Sequence, residues 1–186
     1  VENLLSLLLG ISLSAATGFR IFVPFLVMSV AAQSGNLTLA DEFAWIGSSA
    51  ALGMFAIATF LEVGAYYIPW VDELLDIVVT PVAVVAGVIT TASVTGDLNP
   101  MLQWTMAIVA GGTAAGLVQG MTDVARLTST ATTGGLGNPI VSTLELGSAT
   151  TLSLLAIALP LFTGVLVIGI LWFAVSKLRR LLLRRA

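Results

Sequence analysis

Residues 4–32 read LLSLLLGISLSAATGFRIFVPFLVMSVAA, and this run decides the class of fold. It is apolar enough to lie in lipid and longer than the ~20 residues that one straight crossing needs. Arg20 interrupts it, and Gly18 and Pro24 bracket that arginine. Proline removes an internal hydrogen bond, so this first span is expected to be kinked or broken between Gly18 and Pro24. The run has no basic leader, is long, and carries Arg20 and Pro24, so it reads as a retained helix rather than a secretory leader.

The rest of the chain repeats the pattern. Hydrophobic residues make up 58% and the mean hydropathy is +1.06. Charged residues are 9%, against about 25% in soluble domains. The reading is an all-α, polytopic membrane helix bundle forming a single domain over residues 1–186. Span 2 is expected over residues 42–67, opened by Thr38 and Asp41 as a capping box. Span 3 covers residues 70–94 and span 4 residues 101–123. Residues 126–138, rich in Thr, Ser and Gly, read as a loop.

The stretch 139–176 admits two readings. As one helix it would be about 57 Å long at about 1.5 Å per residue, roughly twice a bilayer core. Either Pro160 divides it into spans 5 and 6, or residues 139–150 approach one long span without crossing. Six spans are favoured over five, because Arg126 and the basic tail 177–186 then share one side. The loops around Asp41 and Asp97 carry no Lys or Arg, which places both termini in the cytoplasm of a bacterial plasma-membrane type protein. Trp45, Trp70, Trp104, Trp172, Tyr66 and Tyr67 fall near predicted span ends, as an interfacial belt would. A weak internal repeat aligns Pro69-Trp-Val-Asp-Glu-Leu74 with Pro139-Ile-Val-Ser-Thr-Leu144.

Composition also excludes chemistry. There is no Cys and no His. Disulfides, thiol chemistry, His-containing triads and the usual Cys or His metal and haem ligands are ruled out. No cofactor and no enzyme activity is expected; a hard cation held by carboxylates and carbonyls stays open. The net charge of −3 argues against a nucleic-acid partner. The basic tail reads as a stop signal against anionic lipid.

The ions inside apolar runs are the candidate site. An intramembrane charge is costly unless paired or hydrated, and marks function by default. Glu62 lies seven residues before Pro69 and Asp76 seven after it; Glu145 lies six after Pro139. Gln119 and Asp123 end span 4 on the same side. The expected result is a mainly acidic vestibule on the cytoplasmic side, with Arg20 deeper as a gate, an anion-substrate contact or a movable counter-ion to Glu62 or Asp76. Plainer roles compete. Ser142 and Glu145 have capping-box spacing. Asp72, Glu73 and Asp76 suit a helix N-terminus, and Asp123 and Arg126 are spaced to pair along one helix. Arg20 and Glu62 have no such local explanation. Gly112, Gly116 and Gly120 repeat every four residues and predict close helix packing.

At these residues the chain resembles a bacterial membrane family known only as domain-of-unknown-function family 4126. The resemblance rests on Ser14-Ala-Ala-Thr-Gly18 with Pro24-Phe-Leu, on Glu62 followed by Ile68-Pro69-x-Val-Asp72-x-x-x-Asp76, and on Gly137-Asn-Pro139-x-Val-Ser142-x-x-Glu145. It implies an all-helical membrane fold and carries no established activity. The expected function is a small transporter or channel subunit for a cation, a proton-coupled solute or a small polar metabolite. The alternative is a non-transporting structural subunit or assembly factor. A chain this short is expected to act as a homo-oligomer or inside a larger membrane complex.

Overall fold

The computed structural model describes residues 2–183, except for the side chains at positions 69, 70, 72–74, 76, 77, 178 and 181–183. Among the described residues there is no strand. The helices are α1 (Glu2–Thr17), α2 (Phe22–Gln33), a 3-10 segment (Asp41–Gly47), α3 (Ser49–Ala65), α4 (Pro69–Val94) and α5 (Pro100–Met106). A wide π turn (Ala107–Gly112) joins α5 to α6 (Thr113–Thr133); α7 (Asn138–Ala158) and α8 (Pro160–Leu183) follow.

Among the described residues, three helices are long and apolar enough to cross a membrane: Pro100–Thr133, Asn138–Ala158 and Pro160–Lys177. A fourth crossing is counted if the 3-10 segment and α3, bent by 65°, are one span. By length and composition this is a membrane-type helical bundle.

The first apolar run is broken, and the sequence explains where. α1 stops at Thr17 and α2 starts at Phe22. A Cβ on Gly18 would lie 2.5 Å from the Ala115 carbonyl oxygen and 2.7 Å from Val118 Cβ. Only glycine lets the end of α1 press onto α6 here. Pro24 is the third residue of α2, inside the first turn, where its missing N–H leaves no helical bond unmade.

α1 is the centre of the bundle. Its C-terminal half is buried without interruption from Gly10 to Thr17, and it packs against α4, α6, α7 and α8. The tightest crossing is with α4. The Ser14 hydroxyl lies 2.6 Å from the Gly87 carbonyl oxygen, to which it donates, and 2.7 Å from Thr91 Oγ1. The same residues of α4 meet the π turn: Gly87 approaches Gly111 so closely that a Cβ would be 2.8 Å from the Gly111 carbonyl oxygen. Buried hydroxyls elsewhere bond back along their own helix, as Ser12 does to Leu8 and Thr90 to Ala86 at 2.7 Å each. These two therefore sit in an apolar core without an unmet donor.

Two glycines of the stripe, Gly112 and Gly116, pack on Val84 and Val88 of α4, with a Cβ at Gly116 meeting Val84 at 3.0 Å. A Cβ at Gly120 would meet nothing within 4 Å among the described residues.

Two local expectations are corrected. Residues 126–133 are helix, not loop. Thr128, Thr132 and Thr133 donate their hydroxyls to the carbonyls four residues back, at 2.7–2.8 Å, so hydroxyl-rich sequence remains helical. Gly134, at φ +63, ends the helix. Thr38 and Asp41 do not open span 2; Ser48 caps α3 by accepting from the Ala51 N–H at 3.1 Å. At the other end, Pro160 divides 139–176. The Thr163 hydroxyl bonds back across this break, lying 2.9 Å from the carbonyls of Leu155 and Leu159, and so ties the first turn of α8 to the end of α7.

Candidate functional site

The break between α1 and α2 leaves an uncapped helix start. Ile21, the N-cap of α2, offers no side-chain bond, and backbone N–H groups at such a start need an acceptor. Glu62 of α3 supplies it. One carboxylate oxygen accepts from the Ile21 N–H at 2.7 Å and the other from the Phe22 N–H at 3.1 Å. The cap is tertiary, delivered across the bundle by a residue of another helix, and it puts negative charge where the helix dipole favours it.

Arg20 immediately precedes this start and turns to α7. Its Nη2 lies 3.2 Å from Glu145 Oε2 and donates to the Ser142 carbonyl at 3.1 Å. Arg126 of α6 reaches the same carboxylate side-on. Its Nε donates to Glu145 Oε1 at 3.0 Å, and its Nη2 contacts Glu145 Oε2 and donates to Ser142 Oγ at 3.1 Å. Two guanidiniums are thus bridged by one carboxylate, in the bidentate geometry that suits arginine. Both also lie over the ring of Tyr66, with Cζ 3.9 Å (Arg20) and 4.3 Å (Arg126) from its centroid. The aromatic face attracts the cations and offsets their mutual repulsion.

The cluster is dry. Arg20, Arg126, Glu145 and Tyr66 are 2–5% exposed. Among the described residues the accounting is uneven. Both Glu145 oxygens and both Glu62 oxygens are engaged. Arg20 Nε and Nη1 are buried with no hydrogen-bond partner. Buried donors without acceptors are uncommon and call for an explanation.

Of the residues expected in the site, Arg20, Glu62 and Glu145 converge here. The Asp76 side chain lies outside the described residues, as do those of Asp72 and Glu73. Gln119 and Asp123 form a separate polar contact between α6 and α4. The Asp123 carboxylate accepts from Gln119 Nε2 at 2.8 Å and from the Thr80 hydroxyl at 3.0 Å. Asp123 does not pair with Arg126, which turns to α7 instead. Nor is Ser142 to Glu145 a capping box. α7 begins at Asn138, and both residues point from its first turns into the cluster. No group of three or more carboxylates able to hold a metal occurs among the described residues.

Three members were missed. Tyr66, assigned to the interfacial belt, is 5% exposed under the guanidiniums; Trp45, Trp104 and Trp172 do face outward, and the Trp70 side chain lies outside the described residues. The spacing pairs Arg126 with Asp123 along one helix and reads Ser142 as a helix cap. A helical-face reading would have found them. Glu62 and Tyr66 are four apart on α3, and Ser142 and Glu145 three apart on α7, so each pair shares a face.

A groove of about 520 Å³ runs beside the cluster between α1, α6, α7 and α8. It is mainly apolar, and its lining includes Phe19 and Leu144, the chain neighbours of Arg20 and Glu145. A second cleft of about 430 Å³ lies where residues 38–42 meet residues 94–103, rimmed by Asp41, Glu42 and Asp97.

These features define a membrane-type helical bundle with an ion cluster buried at a broken helix. The chain belongs to the DUF4126 family, a domain of unknown function, whose family model matches residues 7–180. Searches of curated proteins and of solved structures found no match to it.

Proposed function

We propose that this protein is a small membrane transporter or channel subunit, moving an ion or small polar solute past the cluster of Arg20, Glu62 and Glu145. The observation that carries the reading is Arg20. It is buried to 2% exposure beside a helix break, and two of its nitrogens have no acceptor among the described residues. Broken helices whose ends face buried ions are how many transporters build a binding site at membrane depth. The adjoining groove gives the cluster a neighbouring space. In this reading α1 and α2 form one broken span of six, the termini are cytoplasmic in a bacterial-type plasma membrane, and copies of the chain or a larger complex enclose the path.

The structural-subunit reading is favoured by one observation, the complete engagement of Glu145 by Arg20 and Arg126. A cluster that only locks helices together would be paired throughout, and Arg20 is not. Flux into liposomes holding the purified protein separates the two, using a panel of ions and small metabolites. Transport predicts protein-dependent flux that falls in Glu62→Gln and Arg20→Ala. Absence of flux across the panel, or equal flux in both variants, would sink it.

A further inference from the structure

We propose that the break between α1 and α2 is a binding site for a small carboxylate solute, with the Glu62 side chain as its resident competitor. The inference rests on the transport reading and names its substrate class.

The site already holds a carboxylate. Two successive backbone N–H groups, those of Ile21 and Phe22, receive the two oxygens of Glu62 at 2.7 and 3.1 Å. Helix starts of this kind bind anions because several N–H groups and the dipole converge there. α2 runs for 12 residues, so its dipole is developed. The group that fills the site is not part of α2. It arrives from α3 on a side chain with three rotatable bonds, so it can leave without the backbone moving.

Arg20 supplies the independent observation. It adjoins Ile21 in the chain and is 2% exposed, and its Nε and Nη1 lack acceptors among the described residues. The shortage in this cluster is therefore of acceptors, not of donors. Glu145 has none to spare, since Arg126 and Arg20 use both its oxygens. The described carboxylates beside Arg20, Glu62 and Glu145, have all four oxygens engaged, so a cation would find no free carboxylate oxygen there. A neutral hydroxyl or amide could accept from these N–H groups but would bring no charge to Arg20. A carboxylate matches the paired N–H geometry that Glu62 displays, and sets its charge beside Arg20. Among the described residues of this cluster the carboxylates are engaged and the unmet groups are donors, which favours Arg20 as an anion contact over a cation path here.

The test uses the full chain in detergent micelles with acetate as probe. The thermal unfolding midpoint is followed against acetate, chloride and acetamide, with ionic strength held constant. Wild type should show a saturable rise with acetate alone. Glu62→Gln, which keeps the side chain's shape but removes the competing charge, should bind acetate about tenfold more tightly. Arg20→Gln should abolish the effect. If Arg20→Gln does not fold, Arg20→Lys keeps a charge but presents it as a compact ammonium, and acetate should bind it about tenfold more weakly than wild type. No saturable acetate effect in Glu62→Gln overturns the proposal, as does an equal response to chloride or acetamide. Binding without liposome flux would defeat the transport reading and leave this site standing. Flux without acetate binding would do the reverse.

Discussion

Arg126 and Glu145 meet side-on, Nε to Oε1 at 3.0 Å and Nη2 to Oε2, with both side chains at least 95% buried. The pair ties α6 to α7, and Arg20 adds the break after α1 to the same carboxylate. One residue therefore holds three parts of the chain together. Taking such ions from water is expensive, so the pair adds little against an apolar substitute. Removing one partner is different, because it strands the other.

Glu145→Ala removes a buried carboxylate that two guanidiniums share. It should lower stability by about 3–5 kcal/mol, the usual cost of breaking a buried pair. Reversible unfolding in mixed micelles measures this. A loss below about 1 kcal/mol, the range of an exposed ion pair, would mean that water reaches the cluster.

Glu62→Ala removes the cap of α2. The loss should be about 0.5–2 kcal/mol, as for other N-caps. Its signature is local: amide hydrogen exchange at Ile21 and Phe22 should accelerate, while the core of α1 around Leu13 stays protected. Unchanged exchange at both amides would show that Glu62 does not cap them in the membrane.

Gly18 and Gly120 should behave oppositely although both were legible only as glycine. Gly18→Ala drives a methyl into the Ala115 carbonyl and Val118, and overpacking of this kind costs about 1–3 kcal/mol. Gly120→Ala meets open space within a helix and should stabilise by up to about 1 kcal/mol, the helix-propensity difference. Equal destabilisation by both would refute the close approach of α1 to α6.

Arg20 and Glu62 could be read from sequence because each is a lone ion in an apolar run, and a lone ion in lipid needs a reason. The helix break was legible for the same kind of cause: glycine permits the close approach and proline tolerates the first turn. Arg126 was not legible. Its surroundings, Thr128 to Thr133, are hydroxyl-rich and look like a loop, while in fact each hydroxyl of Thr128, Thr132 and Thr133 bonds back to the helix. Tyr66 was hidden by its position near a helix end, where a belt residue and a cation-binding ring look alike. Glu145 was ambiguous because spacing of three from Ser142 serves a cap and a shared helix face equally. Depth counted from helix ends placed the carboxylates in one layer. It could not say that Glu145 is held by two arginines, or that Glu62 is held by the backbone N–H groups at the start of α2.

The last ambiguity gives the final prediction. Asp123 lies three residues before Arg126, at the spacing of a helical ion pair, yet its carboxylate accepts from Thr80 and Gln119. These are neutral donors. Asp123→Asn keeps one oxygen for them and removes a charge that no arginine holds, so its cost should be that of about one neutral hydrogen bond, about 0.5–1.5 kcal/mol. Glu145→Gln breaks a charge-assisted bidentate pair and should cost more, about 1.5–3 kcal/mol or above. The two variants differ by the same atoms, so measuring both in one detergent cancels most of the unfolded-state contribution. If Asp123→Asn costs as much as Glu145→Gln, Arg126 is shared between the two carboxylates and the α6–α7 lock is not specific to Glu145.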